Sequence, residues 1–415
     1  MRRGRIDVMQ AKAQGGVVGQ ATDRFARYGP FGHREVYFPA EEYTRRVDAV
    51  RARMAEAGVD TLVTFNPSNI AYLCSHFSTN LHDFQCLAVS QTRAPLMVLW
   101  YFELARFHAS AVGATAEAYD TGEDPVTFLA AVLRRHSAPT ERLGLDEGSA
   151  SVSPGVIRRL AAALPEDRTR MVSGIVEPVR LIKSALEVDK LREAARLTVI
   201  GVRTAMEAIG DGVCDRDVTG AALGALYGAG SQFMAVDPYV CGGWRGGAPH
   251  STATGHVLAR DDSVFIEIGA NYQRYTAPIM RTAAVGEPPR AVREAHAIAN
   301  ECLDALIAAV RPGVAASEVA AVGRRVVARI PSDIIFHYTF GYPVGINFPP
   351  TWLEESNFLL LEDNRAPLQP GMVFHLPMSL RSYGRFGVGL SETVHVTNTG
   401  VEVLTDMPRT LVTKD

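Results

Sequence analysis

Residues 265–282 read FIEIGANYQRYTAPIMRT, and this stretch does most to decide the fold. Its apolar start predicts a strand from Val264 to Ile268, which ends in an acid and a Gly-Ala turn. Eleven positions after Glu267, where a second acid would complete a pair of metal ligands, the chain has Pro278. The stretch therefore has the form of half a metal site, with one carboxylate in place of two.

The bulk composition is that of an ordinary globular protein. The chain has 415 residues, of which 47% are hydrophobic and 21% charged, and its net charge is −3. This length predicts two domains, and the near-neutral charge argues against a nucleic-acid partner. The sequence has no apolar run long enough for a membrane span, and no apolar run follows Arg2, Arg3 and Arg5 as in a secretory signal. Five scattered cysteines without a CxxC pair indicate free thiols. We therefore expect a cytoplasmic protein that binds neither nucleic acid nor membrane.

The chain divides into three parts by pattern. Residues 1–35 are rich in Gly and Arg and predict an N-terminal arm. In residues 36–180, helices alternate with short apolar strands such as QCLAVS and APLMVLW, which favours a small α/β domain. In residues 181–415, long helical segments come first, and strands return at GMVFHLPMSL and SETVHVTNTG. This second pattern predicts an α+β domain.

Five segments of the chain resemble, in the right order, the pita-bread fold of methionine aminopeptidase, prolidase, creatinase and ectoine hydrolase. The segments are VRLIKSALEVDKLREAA, EIGANYQRYTAPIMRT, FGYPVGINFPP, LQPGMVFHLPM and GLSETVHVT. They are similar to the interdomain helix, the paired-Asp strands, a Gly-His segment and the last two strands of that family. The resemblance covers nearly the whole chain. It implies a creatinase-like α/β N-terminal domain followed by a pita-bread catalytic domain.

The chain departs from the family at the metal ligands. A metallopeptidase of this fold needs two Asp, one His and two Glu, and the matching positions here are Glu267, Pro278, Tyr342, Pro377 and Glu392. A proline side chain has no donor atom, and two carboxylates do not make a dinuclear site. We therefore predict no catalytic metal and no other cofactor.

The departures resemble the metal-independent branch that contains creatinase and ectoine hydrolase. Ectoine hydrolase is similar in its Glu at the first Asp position, in GYPVGINFPPTW, and in FHLPM, SET and EVLTDMPRTL. The resemblance implies a hydrolase that cleaves a C–N bond in a small zwitterionic or cyclic amidine or amide compound. Two alternatives stay open. One is a lyase similar to the dimethylsulfoniopropionate lyases of this fold, and the other is a non-catalytic small-molecule-binding homologue.

Two residues are the first catalytic candidates. His250 lies in GGAPHSTAT, where the family has a proton-shuttling His, and imidazole transfers protons near neutral pH. Its alternative is a surface-loop His. Glu267 follows apolar residues and should be partly buried, which is costly unless a cation compensates. It is a candidate nucleophile or base, and its alternative is a salt bridge with Arg281.

Three further candidates come from the last strands. Glu392 matches a retained ligand position and is a third catalytic candidate, or else a buried acceptor. Tyr342 replaces the metal His and is expected to bind substrate through its hydroxyl, unless it packs between Phe340 and Phe348. His375 is expected to line the same pocket, unless it is a satisfied core histidine.

The remaining candidates lie in two loops. Arg245 of GGWRGGAP is expected to pair with a substrate carboxylate, unless it faces solvent. In creatinase-like dimers the partner's N-terminal domain covers the active site with a loop similar to SHFSTNLHDFQ, residues 75–85. The resemblance therefore implies a homodimer in which Phe77 and His82 contact the substrate. Their alternative is a solvated loop.

Overall fold

The computed structural model describes residues 34–138 and 140–415, which fold as two units that divide between Ile175 and Val176. The division lies five residues before the one expected between positions 180 and 181. The predicted arm at 1–35 lies outside the described residues, apart from its last two positions.

The first unit is built on one mixed sheet. Its strands are β1 (Thr61–Thr64), β2 (Cys86–Ser90), β3 (Leu96–Trp100), β4 (Thr115–Tyr119), β5 (Leu143–Asp146) and β6 (Thr169–Val172). The strand order is β4-β3-β2-β1-β5-β6. The pairs β1–β2 and β2–β3 are antiparallel, whereas β3–β4, β1–β5 and β5–β6 are parallel.

Helices connect the strands of this sheet. They are α1 (Ala40–Glu56), α2 (Pro67–Cys74), α3 (Leu104–Ser110), α4 (Pro125–His136) and α5 (Pro154–Ala163). The helices α2, α4 and α5 begin at a proline that follows Asn66, Asp124 or Ser153, whose side chains accept hydrogen bonds from the first turn. The apolar faces of α4 and α5 pack in one core with β1 and β5, as the predicted α/β domain requires.

The second unit has five helices among the described residues. They are α6 (Glu177–Leu181), α7 (Ala185–Ala208), α8 (Asp215–Gly228), α9 (Arg290–Ala309) and α10 (Ala316–Val327). Ser184 and Glu187 form a capping box at the start of α7, because each side chain binds the other residue's backbone N–H.

Two sheets complete the second unit. Their strands are β7 (Tyr239–Gly242), β8 (Ser263–Ile268), β9 (Asn271–Tyr272), β10 (Tyr275–Thr276), β11 (Ile279–Val285), β12 (Tyr342–Phe348), β13 (Thr351–Leu353), β14 (Val373–Ser382), β15 (Phe386–Val396), β16 (Val401–Val403) and β17 (Val412–Lys414). One sheet has the order β17-β11-β8-β7, and the other has the order β16-β15-β14-β12-β10-β9 with β13 paired to β12.

The helices cover the sheets in two cores. One core contains α7 and α8 with β8 and β11, and the other contains α9 and α10 with β14 and β15. The unit is therefore α+β, as predicted, and the strand expected from Val264 is confirmed as β8. Within residues 34–138 and 140–415, none of the helices has the length and apolarity that a bilayer crossing requires.

Candidate functional site

A cavity of about 680 Å³ opens among β7, β8, β12 and β14 of the second unit. Cavities of this size hold small-molecule ligands in other proteins. Four aromatic side chains line it, those of Tyr239, Tyr342, Trp352 and Tyr383. Apart from the tyrosines, the charged or titratable groups in its wall are His250, Glu267, His337 and Arg381. Sequence reasoning therefore identified part of this wall and missed His337 and Arg381.

Glu267 is a buried carboxyl group that few protein interactions stabilise in its charged form. It is 5% exposed near the end of β8, directly opposite Tyr239 on β7 and Met280 on β11. Among the described residues no side chain or backbone group hydrogen-bonds to it. Burial raises the pKa of Glu267 to about 8, although the positive charge of Arg381 acts in the opposite direction. The side chain is therefore mostly a neutral acid at pH 7.

Arg381 provides the positive charge of the cavity. It is 7% exposed near the end of β14, and its guanidinium carbon lies 3.6 Å from the centroid of the Phe265 ring. Its Nε donates to Ser379 Oγ at 2.9 Å, and its Nη1 donates to the Gly246 carbonyl. Burial lowers the pKa of Arg381 to about 10, so the group is still a cation at neutral pH. In the sequence it precedes a turn, SYGRFG, where an arginine normally faces solvent.

Two imidazoles face the open side of the cavity. His250 is exposed, and its ring centroid lies 5.8 Å from that of Tyr239. Its φ is 57°, a left-handed conformation that His adopts more readily than most residues. His337 Nδ1 accepts the backbone N–H of Thr339 at 3.1 Å, so the neutral ring carries its proton on Nε2. His337 therefore offers a hydrogen-bond donor to the cavity.

Tyr342 belongs to a buried hydrogen-bond chain. Its hydroxyl accepts the indole N–H of Trp352 at 3.0 Å and lies 2.7 Å from Nδ1 of His375. The Nε2 of His375 lies 2.6 Å from Ser391 Oγ, which accepts the Met280 N–H at 2.5 Å. Burial raises the pKa of Tyr342 and lowers that of His375 to about 3. Both groups are therefore neutral at physiological pH.

His375 was expected to line the pocket, and the structure places it one layer deeper. Its side chain is completely buried, and it reaches the cavity only through the hydroxyl of Tyr342. The reason is the register of β12 and β14, which pairs Tyr342 directly with His375. Tyr342 itself lines the cavity as expected.

Glu392 was expected in the site, but its carboxylate lies on the opposite face of the sheet. Pro377, Ser379 and Arg381 line the cavity from alternate positions of β14, and Glu392 pairs with the intervening Leu376. Ser391, which pairs with Pro377, is the residue on the cavity side. A shift of one residue along a strand exchanges its two faces. The sequence assignment was wrong by one such position.

The carboxylate of Glu392 is held by a buried ion pair. Its Oε1 lies 2.7 Å from Arg281 Nη2, and its Oε2 accepts the Thr405 hydroxyl at 2.6 Å. Burial raises the pKa of Glu392, against the effect of Arg281. Arg281 is thus the partner of Glu392, and the salt bridge considered between Arg281 and Glu267 is not formed.

Arg245 does not line this cavity. Arg245 donates from Nη2 to the Thr252 carbonyl at 2.7 Å, and its guanidinium lies 5.7 Å from the ring centroid of Trp244. These local contacts turn it away from the cavity wall. Phe77 and His82 belong to the first unit.

In the first unit, Phe77 is a packed residue and His82 an exposed one. The Phe77 ring stacks on Tyr37 with centroids 4.3 Å apart, and Arg106 covers it at 4.4 Å. The side chain of His82 is 97% exposed and lies 3.6 Å from the carboxylate of Asp83. Phe77 thus contributes to the packing of its own unit, whereas His82 is open to solvent.

The sequences of both units match known family models. Residues 189–398 match the model of Metallopeptidase family M24, and residues 46–182 match that of the Creatinase/Prolidase N-terminal domain. The first match covers 210 of the 415 residues, half of the chain. The chain belongs to metallopeptidase family M24. Relatives of this M24 protein include the ectoine hydrolase of Halomonas elongata, 26% identical over 402 residues that cover 91% of this chain and 98% of that protein.

Two further comparisons extend over almost the whole M24 chain. A protein of Sinorhizobium fredii described as an uncharacterized hydrolase/peptidase is 27% identical over 397 residues, which cover 92% of this chain and all of that protein. The crystal structure of prolidase from Thermococcus sibiricus superposes with a TM-score of 0.80 at 20% identity, covering 89% of this chain and 99% of that one. The fold is therefore confirmed as a creatinase-like α/β domain followed by a pita-bread domain.

The family name implies a metal, and the cavity of this M24 protein does not fit one. Hard divalent cations need several oxygen ligands, and zinc needs about four nitrogen, oxygen or sulfur ligands. The strand neighbours of Glu267 are Met280 and Tyr239, and Pro377 lines the same cavity from β14. Across the described part of the chain, no group of three or more His, Cys, Asp or Glu is placed to hold a metal ion. The buried cation of Arg381 would also repel one.

Proposed function

We propose that this M24 protein is a metal-independent hydrolase that cleaves a C–N bond in a small zwitterionic or cyclic amidine or amide compound. The observation that carries the proposal is the state of Glu267, a buried carboxyl group without a protein partner among the described residues, in a cavity of ligand size. A group in this state is destabilised as a charge, and a cationic ligand removes that cost.

Glu267 is the reactive group in this proposal. An amidinium ion beside Glu267 replaces the solvation that the carboxylate lost by burial, so the pKa of Glu267 falls when the substrate binds. The carboxylate that forms then attacks the electron-poor carbon of the substrate, directly or through a water molecule. Because Glu267 ionises only when the substrate binds, the reactive carboxylate is formed only in the enzyme–substrate complex.

The groups around Glu267 supply the proton transfers. His250 stands exposed at the mouth of the cavity and exchanges protons between solvent and the leaving nitrogen. Tyr342, which His375 and Trp352 hold in place, faces the same space with its hydroxyl. His337 offers its Nε2 proton to an oxygen that gains charge during the reaction.

The substrate class is supported by one relative. The Halomonas elongata protein that is 26% identical to this chain is named for the hydrolysis of ectoine. Ectoine is a cyclic amidine that carries a carboxylate, so it combines the cation and the small size that this cavity suits.

The first experiment joins elemental analysis with turnover assays on ectoine, creatine and related amidines, with and without EDTA. We expect substoichiometric metal, and turnover that EDTA does not change. Glu267→Gln and His250→Ala are each expected to lower kcat by about 100-fold or more. Glu207→Gln, an exposed carboxyl group on α7, is the matched control. Tightly bound stoichiometric metal, or loss of activity in EDTA, would contradict the proposal.

The two roles open to Glu267 give different isotope patterns. In a single turnover in heavy-oxygen water, direct attack joins a Glu267 carboxylate oxygen to the amidine carbon as the C–N bond breaks and the nitrogen leaves with a proton. Water that then attacks the Glu267 carbonyl releases the product and leaves labelled oxygen in the Glu267 carboxyl group. Activation of a water molecule by Glu267 places the label only in the product. Mass spectrometry of the peptide that contains Glu267 distinguishes these outcomes.

As part of the same proposal, the protein forms a homodimer. Its support is the match of residues 46–182 to the Creatinase/Prolidase N-terminal domain, together with the loop at 75–85. Sedimentation equilibrium measures the mass, and we expect that of two chains. If the loop of one chain contacts substrate in the other, His82→Ala raises KM without a change in stability, because its side chain is 97% exposed. An unchanged KM would remove His82 from the site.

A further inference from the structure

The cavity wall contains one buried guanidinium, that of Arg381, and one buried carboxyl group, that of Glu267, which do not contact each other. Arg381 and Glu267 affect each other's pKa, yet they form no ion pair. The guanidinium of Arg381 lies over Phe265, which is two residues from Glu267 on the same face of β8. Alternate residues of a strand are about 7 Å apart, so Phe265 carries the guanidinium on the same face of β8 as Glu267 without an ion pair between the two groups. Both groups line one cavity of about 680 Å³, so a single small molecule can contact both.

Arg381 is fixed in place by contacts that leave part of its guanidinium open. Nε and Nη1 bind Ser379 and the carbonyl of Gly246, and the Phe265 ring supports the plane from one side. Among the described residues, Nη2 has no hydrogen-bond acceptor, and Arg381 is part of the cavity wall. A guanidinium with a fixed plane and a free edge is the arrangement that binds a carboxylate.

The support under Arg381 depends on a glycine of the neighbouring strand. A Cβ at Gly389 would lie 2.3 Å from the Phe265 ring, so any side chain at this position would displace the ring. Gly389 on β15 therefore allows Phe265 to lie flat beneath the guanidinium. The position of Arg381 is thus built by three strands, β8, β14 and β15.

No other charged side chain of the described part of the chain lines this wall. The rest of the lining is aromatic, apolar or neutral, apart from the imidazoles of His250 and His337. In such surroundings a charge is stabilised most by a ligand group of opposite sign. The cavity is therefore complementary to one anion near Arg381 and one cation near Glu267, in a single small molecule.

We propose that Arg381 binds the carboxylate of the substrate and thereby holds the C–N bond against Glu267. The substrate class is then a small zwitterion whose carboxylate is a few atoms from an amidine or amine nitrogen. The identity of the cleaved bond rests on the proposed function. The carboxylate site itself does not, because ligand binding alone is enough to test it. The residue determines specificity, because it contacts the part of the substrate that does not react.

The test uses two probes that differ only in the carboxylate. Ectoine carries it, and 2-methyltetrahydropyrimidine is the same cyclic amidine without it. Calorimetry measures binding of both to the wild-type protein and to Arg381→Met, which keeps the length of the side chain and removes its charge. We expect Arg381→Met to weaken ectoine binding by about 100-fold, and binding of the second probe by less than about threefold. Creatine, a second zwitterion, serves as an independent carboxylate probe.

Two further variants separate a role in binding from a role in folding. Arg381→Lys keeps the charge but loses the planar fork, and we expect it to recover only part of the ectoine affinity. Phe265→Leu keeps Arg381 and removes its aromatic support, with an expected loss of about tenfold for ectoine alone. Thermal unfolding verifies that each variant is folded at the assay temperature.

The outcomes separate this inference from the proposed function. Equal losses for both probes in Arg381→Met, or no binding of ectoine and creatine to the wild-type protein, would overturn the carboxylate site. Binding that depends on Arg381 but is never followed by turnover would overturn the hydrolysis and support the site. Turnover of ectoine that Arg381→Met does not affect would support the hydrolysis and overturn the site.

Discussion

The imidazole of His375 lies directly against the hydroxyl of Tyr342, with 2.7 Å between Nδ1 and the phenol oxygen. Its second nitrogen lies 2.6 Å from Ser391 Oγ, so both nitrogens have a partner. A fully satisfied buried chain holds its members in one arrangement. We infer that His375 positions Tyr342 and takes no direct part in contact with the ligand.

This arrangement predicts the effect of Tyr342→Phe on stability. The change removes the hydroxyl and leaves the Trp352 indole N–H and His375 Nδ1 without their partner. We expect the free energy of unfolding, measured in urea, to fall by about 2 kcal/mol. Tyr383→Phe, which alters a side chain that is 61% exposed, is the control and should change it by less than about 0.5 kcal/mol. Equal effects of the two variants would contradict the buried chain.

The raised pKa of Glu267 predicts how stability depends on pH. The unfolded chain loses this proton near the ordinary glutamate pKa of 4.5, whereas the folded chain keeps it until about pH 8. Its contribution to stability is therefore full below pH 4.5 and is lost as the pH rises through 8. Glu267→Gln cannot ionise at this position. As the pH rises across this range, its free energy of unfolding should therefore increase relative to that of the wild type, by a few kcal/mol. Thermal unfolding from pH 5 to pH 9 measures the difference.

Glu207→Gln is the control for this pH series, because Glu207 is exposed on α7. It should follow the wild type at every pH. A constant difference between Glu267→Gln and the wild type from pH 5 to pH 9 would show that Glu267 is already ionised in the folded chain.

The ion pair of Glu392 predicts that this residue matters for folding more than for reaction. Glu392→Gln leaves the buried guanidinium of Arg281 without its counter-charge, which costs about 3 kcal/mol of stability. Because the carboxylate points away from the cavity, kcat/KM of the folded variant should stay within about threefold of the wild type. A loss of 100-fold or more in a variant that is still folded would return Glu392 to the catalytic site.

The close contact between Gly389 and Phe265 predicts that a side chain at position 389 would displace the ring on which Arg381 lies. In Gly389→Ala the new Cβ would lie 2.3 Å from the Phe265 ring, so Phe265 must move. We expect a loss of about 2 kcal/mol in unfolding free energy, together with a higher KM for a carboxylate substrate. Gly224→Ala on α8 is the matched control, since a Cβ there meets nothing within 4 Å and Ala favours a helix. A KM equal to that of the control would show that Phe265 does not contribute to substrate binding.

Several local features could be predicted from the sequence alone. The strand from Val264 ends at Ile268 as expected, and the strand expected at GMVFHLPMSL is β14, Val373–Ser382. Periodicity within one segment reports its own secondary structure, because side-chain spacing follows the local backbone. The same reasoning located Glu267 after three apolar residues, and that carboxyl group is buried in the cavity.

Features that depend on strand pairing could not be predicted in this way. The last long strand was expected to begin at Ser391, but β15 begins at Phe386, and only its register with β14 decides which of Ser391 and Glu392 faces the cavity. Arg381 next to a turn resembles a surface residue until Phe265 and Gly389 of other strands are placed beside it.

The sequence by itself determined the two-domain architecture and the family, because these follow from residue identity and order along the chain. The tertiary structure alone decided that Arg381 and His337 share a cavity with Glu267, and that Glu392 does not. The physical reason is that a strand alternates its faces at every residue, so one step in register exchanges cavity and core. Local sequence does not encode that step, since it is set by hydrogen bonds between strands that are distant in the chain.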